Sequence, residues 1–480
     1  MNFRSPLVEL AIGQVSHHVG PSPVTEEPTA GEPAAVEPAA VEPAAMEPAA
    51  GESAIGESYG VGPDVAGRPP RARALSPGAP KYDASFSSLP AYREILLDRK
   101  MGPALGLTDP YYRPHEGRAG VTTQIGGREL LNFASYDYLA LNGHPEILAA
   151  HQEAAARHGT SVSASRITAG ERQVHRDLEN ALAEIYEAEA GALFVSGHAT
   201  AASVIETILG PKDLLIHDSL IHNCVMVGAQ GARCQRKSFR HNDLNDLEAY
   251  LALTRHLFER VLIVSEGIFS MDGDGPDLQR LVAIKERFQA WLMMDEAHAL
   301  GVIGATGRGI AEHAGVDPAG VDVWFGTLSK ALVGCGGYVC GSQVLIDILK
   351  ARAPGLVYSV GMPAPMAAAS LAALTIMRRE PERVEALREN GTQFLAGARA
   401  RGLDVGTSWG YGVTPVILGS DIRTFNAARA LEEAGIYAFP VIPPGVPQGS
   451  SRLRFFLSAA HTAAQINSAL DAIVAITDRT

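Results

Sequence analysis

The stretch Val321, Asp322, Val323, Trp324, Phe325, Gly326, Thr327, Leu328, Ser329, Lys330 sets a lysine just beyond an apolar run, beside hydroxyls and ahead of Gly334, Cys335, Gly336 and Gly337. The run 321–325 reads as a buried strand. A lysine that follows such a strand into small residues is poorly explained as a solubilising group, although alone it would pass for a snorkelling surface side chain. A second apolar run, 291–294, ends in Asp295, Glu296, Ala297 and His298. When both runs are strands of one parallel sheet, an acid, a histidine and a lysine converge along its carboxyl edge, where α/β proteins bind their ligands.

That trio suits pyridoxal phosphate. The cofactor needs a lysine for its Schiff base, a carboxylate to keep its ring nitrogen protonated and dipoles for its phosphate. Asp295 is the candidate for the pyridinium, because an acid paired with a buried cation keeps its charge. His298 is placed to bond the phenolic oxygen.

Working outward, residues 131–349 alternate short apolar runs with amphipathic stretches. Strands are expected at 192–195, 214–217, 261–265, 291–294, 321–325 and 338–340, with helices between them at 172–186, 199–209 and 278–288. Strand, crossover and strand repeated in this way imply a mostly parallel α/β sheet covered on both faces. Ser196, Gly197 and His198 follow a strand and open a helix, so their N–H groups can receive a phosphate. His222 lies in a turn where its flat ring can stack on the cofactor, although a helix-start histidine reads the same way. Ser270 sits in the glycine-rich turn 266–275 and can reach the cofactor, although a plain tight turn also explains those glycines.

Before this core, residues 81–130 read as an arm, with a helix at 89–101 and a hairpin through 121–131. Residues 1–80 differ in composition: a Glu-Pro-Ala-Ala pentapeptide recurs from Glu32, Glu37, Glu42 and Glu47. Proline every fifth residue breaks helices and little there is large and apolar, so an extended, disordered acidic segment is expected. The mildly apolar 7–15 is either a short docking helix or a loose terminus. After the core, residues 363–480 read as a smaller α/β domain, with helices at 364–377, 384–401, 422–434 and 463–476 and strands at 414–418 and 452–456.

Composition closes off several classes. The 480 residues carry a net charge of -13, which argues against a nucleic-acid surface. No apolar run is long enough to span a bilayer, and no secretory leader is apparent. Four cysteines without CxxC spacing indicate neither a zinc site nor a disulfide framework, so a reducing cytoplasm is expected. The DEAH tetrad at Asp295 also occurs in helicases, but no phosphate-binding GxxxxGK[ST] loop precedes it.

Five ordered motifs now carry a specific resemblance: SYDYLAL at Ser135, SEGIFSMDGD at Ser265, DEAHALG at Asp295, TLSK at Thr327 and LRFFLSAAH at Leu453. From Asn132 to Ala460 the chain resembles the α-oxoamine synthases, fold-type I pyridoxal phosphate enzymes. The resemblance implies a large domain over 131–362 with a mostly parallel seven-stranded sheet, a small domain over 363–480, and a homodimer. By resemblance Lys330 holds the cofactor, Asp295 pairs with its ring nitrogen, and His298 meets its ring oxygen. His222 stacks on the ring, Ser270 and Thr327 contact it, and Gly197 with His198 lies at the phosphate.

Arg454 matches the arginine that grips the amino acid carboxylate, a task suited to a planar guanidinium. Arg452 reads as a surface charge. The implied reaction condenses glycine, alanine or serine with an acyl thioester of coenzyme A or an acyl carrier protein, releasing carbon dioxide and an α-amino ketone.

Departures from the family pattern fall at Tyr136, where many relatives carry asparagine, and at Ala140, where many carry glycine. At Ser165 aminolevulinate synthases usually carry threonine, so room remains here for alanine or serine. Val360 and Gly361 replace hydroxyls that resembling chains lend to a neighbour's phosphate site. The pattern at 159–166 and the acidic extension resemble members from natural-product pathways, which often take acyl groups from a carrier protein. Two alternatives share the fold: an aminotransferase, and a non-catalytic partner subunit. The whole motif set speaks against the first and Lys330 against the second.

Overall fold

The structure, a computed structural model, describes residues 85–92, 96 and 110–477. The acidic extension and the candidate helix at 7–15 lie outside the described residues. Of the helix expected at 89–101, residues 90–92 and 96 are helical and most of the rest lies outside them too. The expected hairpin forms from β1 (Thr122–Ile125) and β2 (Arg128–Asn132). Gly126 and Gly127 join them with φ of 57° and 74°. Two consecutive left-handed residues give a turn whose twist matches that of the paired strands, which explains the Gly-Gly pair.

Seven strands form the main sheet: β3 (Ala190–Phe194), β4 (Leu214–Asp218), β5 (Gln235–Phe239), β6 (Val261–Glu266), β7 (Trp291–Asp295), β8 (Val323–Thr327) and β9 (Gly337–Gly341). Their spatial order is β3-β9-β8-β7-β6-β4-β5. β9 runs antiparallel to both neighbours, and the other pairings are parallel. Alternate side chains serve two cores. Ile263, Met294 and Trp324 face one, whereas Val264, Met293 and Phe325 face the other. Burial on both faces accounts for the unbroken apolar runs in β6 and β7.

Within the main sheet, the strands depart most from expectation in two places. β5, Gln-Arg-Lys-Ser-Phe, was not expected; it is an edge strand with four of its five residues exposed. Its charges protect an open edge and also erase the apolar signal. The strand expected at 321–325 runs instead from Val323 to Thr327. Asp322 stays outside it, accepting from Lys285 Nζ at 2.9 Å and from the Leu292 N–H at 2.7 Å.

A second sheet has the order β10-β13-β12, with β10 (Val413–Gly419), β12 (Phe439–Val441) and β13 (Ser451–Phe456) all antiparallel. The short β11 (Ile436–Tyr437) pairs with β2 instead. Helices Glu382–Ala400 and Asp421–Glu433 cover this sheet and Ala463–Thr477 packs on both of them, whereas Ala364–Arg379 packs on helices Pro145–His158 and Gln173–Ile185. No helix among the described residues is long and apolar enough to cross a membrane.

Candidate active site

Because β6, β7 and β8 are parallel neighbours, their carboxyl ends deliver Glu266, Asp295 and the segment 327–330 to one place. Asp295 pairs in register with Glu266. Its Oδ1 accepts the Ala297 N–H at 2.9 Å, and Glu266 Oε1 accepts the His222 N–H at 2.7 Å. Burial pushes Glu266 well above the usual carboxylate range, and Asp295 adds to the effect. Burial also raises Asp295, to about 6, against the pull of Lys330. Two adjacent buried acids cannot both be charged cheaply, so the single negative charge rests on Asp295, the one that interacts more strongly with Lys330. Glu266 was given no role in the sequence reading. Its position at a strand end was visible, but its pairing with Asp295 depends on register.

Lys330 lies in the loop joining β8 to β9, which is closed by hydrogen bonds from Leu328 N–H to Gly336 O at 3.0 Å and Gly334 N–H to Leu328 O at 2.8 Å. Burial lowers its pKa while Asp295 and Glu266 oppose the shift. Its Nζ stands 5.9 Å from the centre of the Tyr136 ring. The Thr327 hydroxyl donates to Gly336 O at 2.9 Å and lies 2.9 Å from Ser329 Oγ.

Gly197 begins helix Gly197–Ile208, capped by Ser196. A Cβ on Gly197 would come within 2.9 Å of Thr327 Oγ1. The end of β8 and the start of this helix therefore touch, which joins lysine and candidate phosphate site. His198 and His222 are exposed at two helix starts, their ring centroids 6.3 Å apart. His222 Nδ1 accepts the Cys224 N–H at 3.3 Å, which leaves the ring proton on Nε2.

His298 is buried beside Phe456, and its Nδ1 lies 2.7 Å from the Tyr138 hydroxyl. Burial holds the phenol protonated and the imidazole neutral, with Lys330 reinforcing the latter. Tyr138 then donates to Nδ1, and Nε2–H is the donor available to a ligand oxygen. Tyr138 and Phe456 were missed although both lie within quoted motifs. Their packing on His298 is a long-range contact without local signal.

Arg454 is buried on β13. Its Nη1 donates to Ser270 O at 3.2 Å and to Met271 Sδ at 3.2 Å, and its guanidinium stacks 4.6 Å from the centre of the Phe456 ring. Its Nε has no hydrogen-bond partner, and it forms no ion pair among the described residues. A buried guanidinium without an acid is a waiting anion site.

Ser270 therefore meets this site through its carbonyl. Arg452 is not a surface charge: it is buried, with Nη1 2.7 Å from Asp272 Oδ1 and 3.0 Å from Met271 O. Arg452, Arg454 and Phe456 alternate along one face of β13, a period-two signal present in the sequence.

Tyr136 joins the cluster, edge-on to Phe456 at 4.8 Å. Ser165 does not. Its hydroxyl lies 3.2 Å from Thr168 Oγ1 and its backbone bridges to Val360. Ala140 has φ of 53°, the left-handed region that favours glycine.

The sequence matches the aminotransferase class I and II family over residues 128–473. It is 40% identical over 384 residues to 8-amino-7-oxononanoate synthase of Cellvibrio japonicus, covering 78% of this chain and 95% of that protein. An enzyme of the same name from an Anaeromyxobacter species is 42% identical over 357 residues, 74% of this chain and 89% of its own. Among solved structures, serine palmitoyltransferase of Sphingomonas wittichii superposes with a TM-score of 0.78 at 28% identity, covering 82% of this chain and 99% of its own. A serine palmitoyltransferase solved with pyridoxal phosphate gives the same TM-score and coverage at 26% identity.

The residues present fit that cofactor: a partly buried lysine, a charged buried acid in reach of it, and free helix-start N–H groups. The chain therefore belongs to the class I and II aminotransferase family and is a pyridoxal phosphate-dependent α-oxoamine synthase.

Proposed function

We propose that this enzyme joins glycine, alanine or serine to an acyl thioester, carried by coenzyme A or an acyl carrier protein, and releases carbon dioxide, the free thiol and an α-amino ketone. The observation that carries this reading is Arg454, a buried guanidinium whose Nε lacks a partner, close enough to lower the pKa of Lys330. An amino acid carboxylate supplies the missing acceptors in charge-assisted hydrogen bonds. Pyridoxal phosphate, when bound, supplies the electron sink for the pairs left by proton removal and by decarboxylation.

Each remaining task falls to a residue of the site. Asp295 keeps its charge beside the ring nitrogen, with Glu266 protonated next to it. His298, fixed as the Nε2–H tautomer by Tyr138, donates to the ring oxygen. Lys330, its pKa depressed by burial, takes the α-proton as a neutral amine and returns a proton to the same carbon after carbon dioxide leaves. With pyridoxal phosphate bound, Gly197 and His198 would offer backbone N–H groups to its phosphate, and His222 would offer a flat ring to stack on its pyridine. Tyr136 narrows the entrance that asparagine leaves wider in relatives.

The exposed Tyr358, Val360 and Ile167 form an apolar group around the Ser165–Val360 bridge and support a homodimer. We place the enzyme in the cytoplasm, in keeping with four free cysteines. Residues 131–362 and 363–480 serve as its large and small domains, and residues 1–80 as an appended acidic segment.

The test is to titrate the cofactor-loaded protein with glycine, alanine and serine while following visible absorbance, then add an acyl thioester and measure carbon dioxide. One amino acid shifting the spectrum, followed by stoichiometric carbon dioxide that Lys330→Ala abolishes, is the expected outcome. Amino acid binding without carbon dioxide, together with keto acid formation, would establish an aminotransferase instead.

A further inference from the structure

One buried polar cluster takes no part in the chemistry above. The His241 imidazole lies between two buried aspartates, with Nδ1 2.9 Å from Asp218 Oδ1 and Nε2 3.1 Å from Asp274 Oδ2. Asp218 also accepts the N–H groups of Leu220 and Asn242, each at 2.8 Å. Asp274 also accepts the Thr407 hydroxyl at 2.6 Å and the Asn242 side-chain amide at 3.4 Å. The Phe269 ring meets the imidazole edge-on, centroids 4.6 Å apart. A neutral imidazole has one N–H; with that proton on Nδ1, the Nε2 lone pair has only the Asn242 amide at 3.3 Å to accept from and faces both Asp274 oxygens, at 3.2 and 3.1 Å. Only the imidazolium donates in both directions. Burial opposes that charge, yet the hydrogen bonds to Asp218 and Asp274 outweigh it and raise His241 to about 10.

The two acids belong to segments that carry the site. Asp218 ends β4, four residues before His222. Asp274 closes the turn 269–274, where Phe269 N–H meets Asp274 O at 2.8 Å and Gly273 N–H meets Phe269 O at 2.8 Å. That turn holds Arg454 through Ser270 O and Met271 Sδ, and binds Arg452 through Asp272. Thr407 adds a tie from the segment leading to β10, where Trp409 N–H donates to Gly273 O at 2.9 Å. The turn is therefore clamped on one side by His241 and loaded on the other by Arg454.

We propose that His241 is a positioning residue: as a cation bridging Asp218 and Asp274, it fixes the turn 269–274 so that Arg454 is presented to the amino acid carboxylate. The inference rests on the reading of Arg454 given above and adds the device that holds it in place. His241 bonds Asp218 and Asp274 rather than Lys330, Asp295, His298 or His222, and Ser270 meets Arg454 through its carbonyl, so loss of His241 separates two affinities that a general weakening of the fold would lower together.

The experiment compares cofactor-loaded wild type, His241→Asn and Thr407→Val, measuring dissociation constants for the amino acid and for pyridoxal phosphate. His241→Asn weakens the amino acid about tenfold or more, whereas cofactor affinity changes less than about threefold. Thr407→Val, which removes one tie to Asp274 and leaves His241 intact, moves amino acid affinity the same way by about two- to threefold.

Unchanged amino acid affinity in His241→Asn, or parallel loss of both ligands, overturns the proposal. If His241→Asn does not fold, Thr407→Val decides by itself, and no shift there overturns it. Nitrogen-15 histidine spectra of the unliganded protein read the bridge without substrate: two protected ring N–H protons at pH 8 support it, and one alone refutes it. Should wild type bind no amino acid while both protons are seen, the reading of Arg454 falls and the bridge stands.

Discussion

Replacing Arg454 by methionine should stabilise the unliganded protein while destroying its hold on the amino acid. The guanidinium is buried and, among the described residues, its Nε lacks a partner and no carboxylate neutralises it. An unsatisfied buried donor costs about 1–3 kcal/mol, and the charge adds to that. Methionine, which reaches only as far as Nε, replaces the guanidinium stack on Phe456 with a shorter apolar contact and leaves the Ser270 carbonyl and the Met271 sulfur without their donor, a loss of about 1 kcal/mol. The net expectation for Arg454→Met is a gain of about 1–2 kcal/mol in the unliganded state. Binding moves the other way, because a buried charge-assisted pair contributes about 2–4 kcal/mol, or roughly 30- to 1,000-fold in dissociation constant. Urea unfolding of the unliganded protein and calorimetric titration with the amino acid measure the two effects. A variant that loses 2 kcal/mol or more of stability while binding the amino acid as well as wild type would refute the reasoning.

Two further outcomes follow from local geometry. Ala140→Gly removes about 1–2 kcal/mol of left-handed strain and returns part of it as chain entropy, so a gain of up to about 1 kcal/mol is expected in the urea midpoint. Burial raises Glu296 to about 8, with Asp295 contributing, and Glu296 Oε1 has no partner. Its folded pKa lies above the model-peptide value of 4.5, so its contribution to stability is complete below about 4.5 and is lost as pH rises through about 8. Glu296→Gln keeps an acceptor for the Ile310 N–H and should flatten the fall in stability between pH 5 and 9 by several kcal/mol. Equal slopes in both proteins would count against a protonated Glu296.

The placing of the candidate site was legible wherever a residue type and its position at a strand end were enough. Lys330, Asp295, His298 and Thr327 meet where the apolar runs stop, as parallel strands require. β5 escaped because an edge strand has no buried face to impose a pattern, and Gln-Arg-Lys-Ser looks like a loop. Glu266 escaped because its importance depends on which residue of β7 lies opposite. Arg452 was misread for a different reason: a two-residue spacing from Arg454 was visible, but burial of two arginines on one face depends on Asp272, far away in sequence. His241 carried no local signal, since its two aspartates come from other segments.

The reversal of β9 governs where chain length can change in this fold. Elsewhere in the sheet, successive strands are separated by crossovers whose solvent-facing turns absorb an added residue without moving the strand ends. Between β8 and β9 the chain doubles straight back, and both flanks of the loop are zipped by strand pairing from Val323–Gly341 to Thr327–Gly337. An insertion between 328 and 336 has little slack to take it up, and each added residue can displace Lys330 by up to about 3.3 Å. Length variation across descendants of this sequence is thereby confined to the crossovers and the chain ends, and the short lysine loop is the part of the fold whose spacing selection must hold fixed.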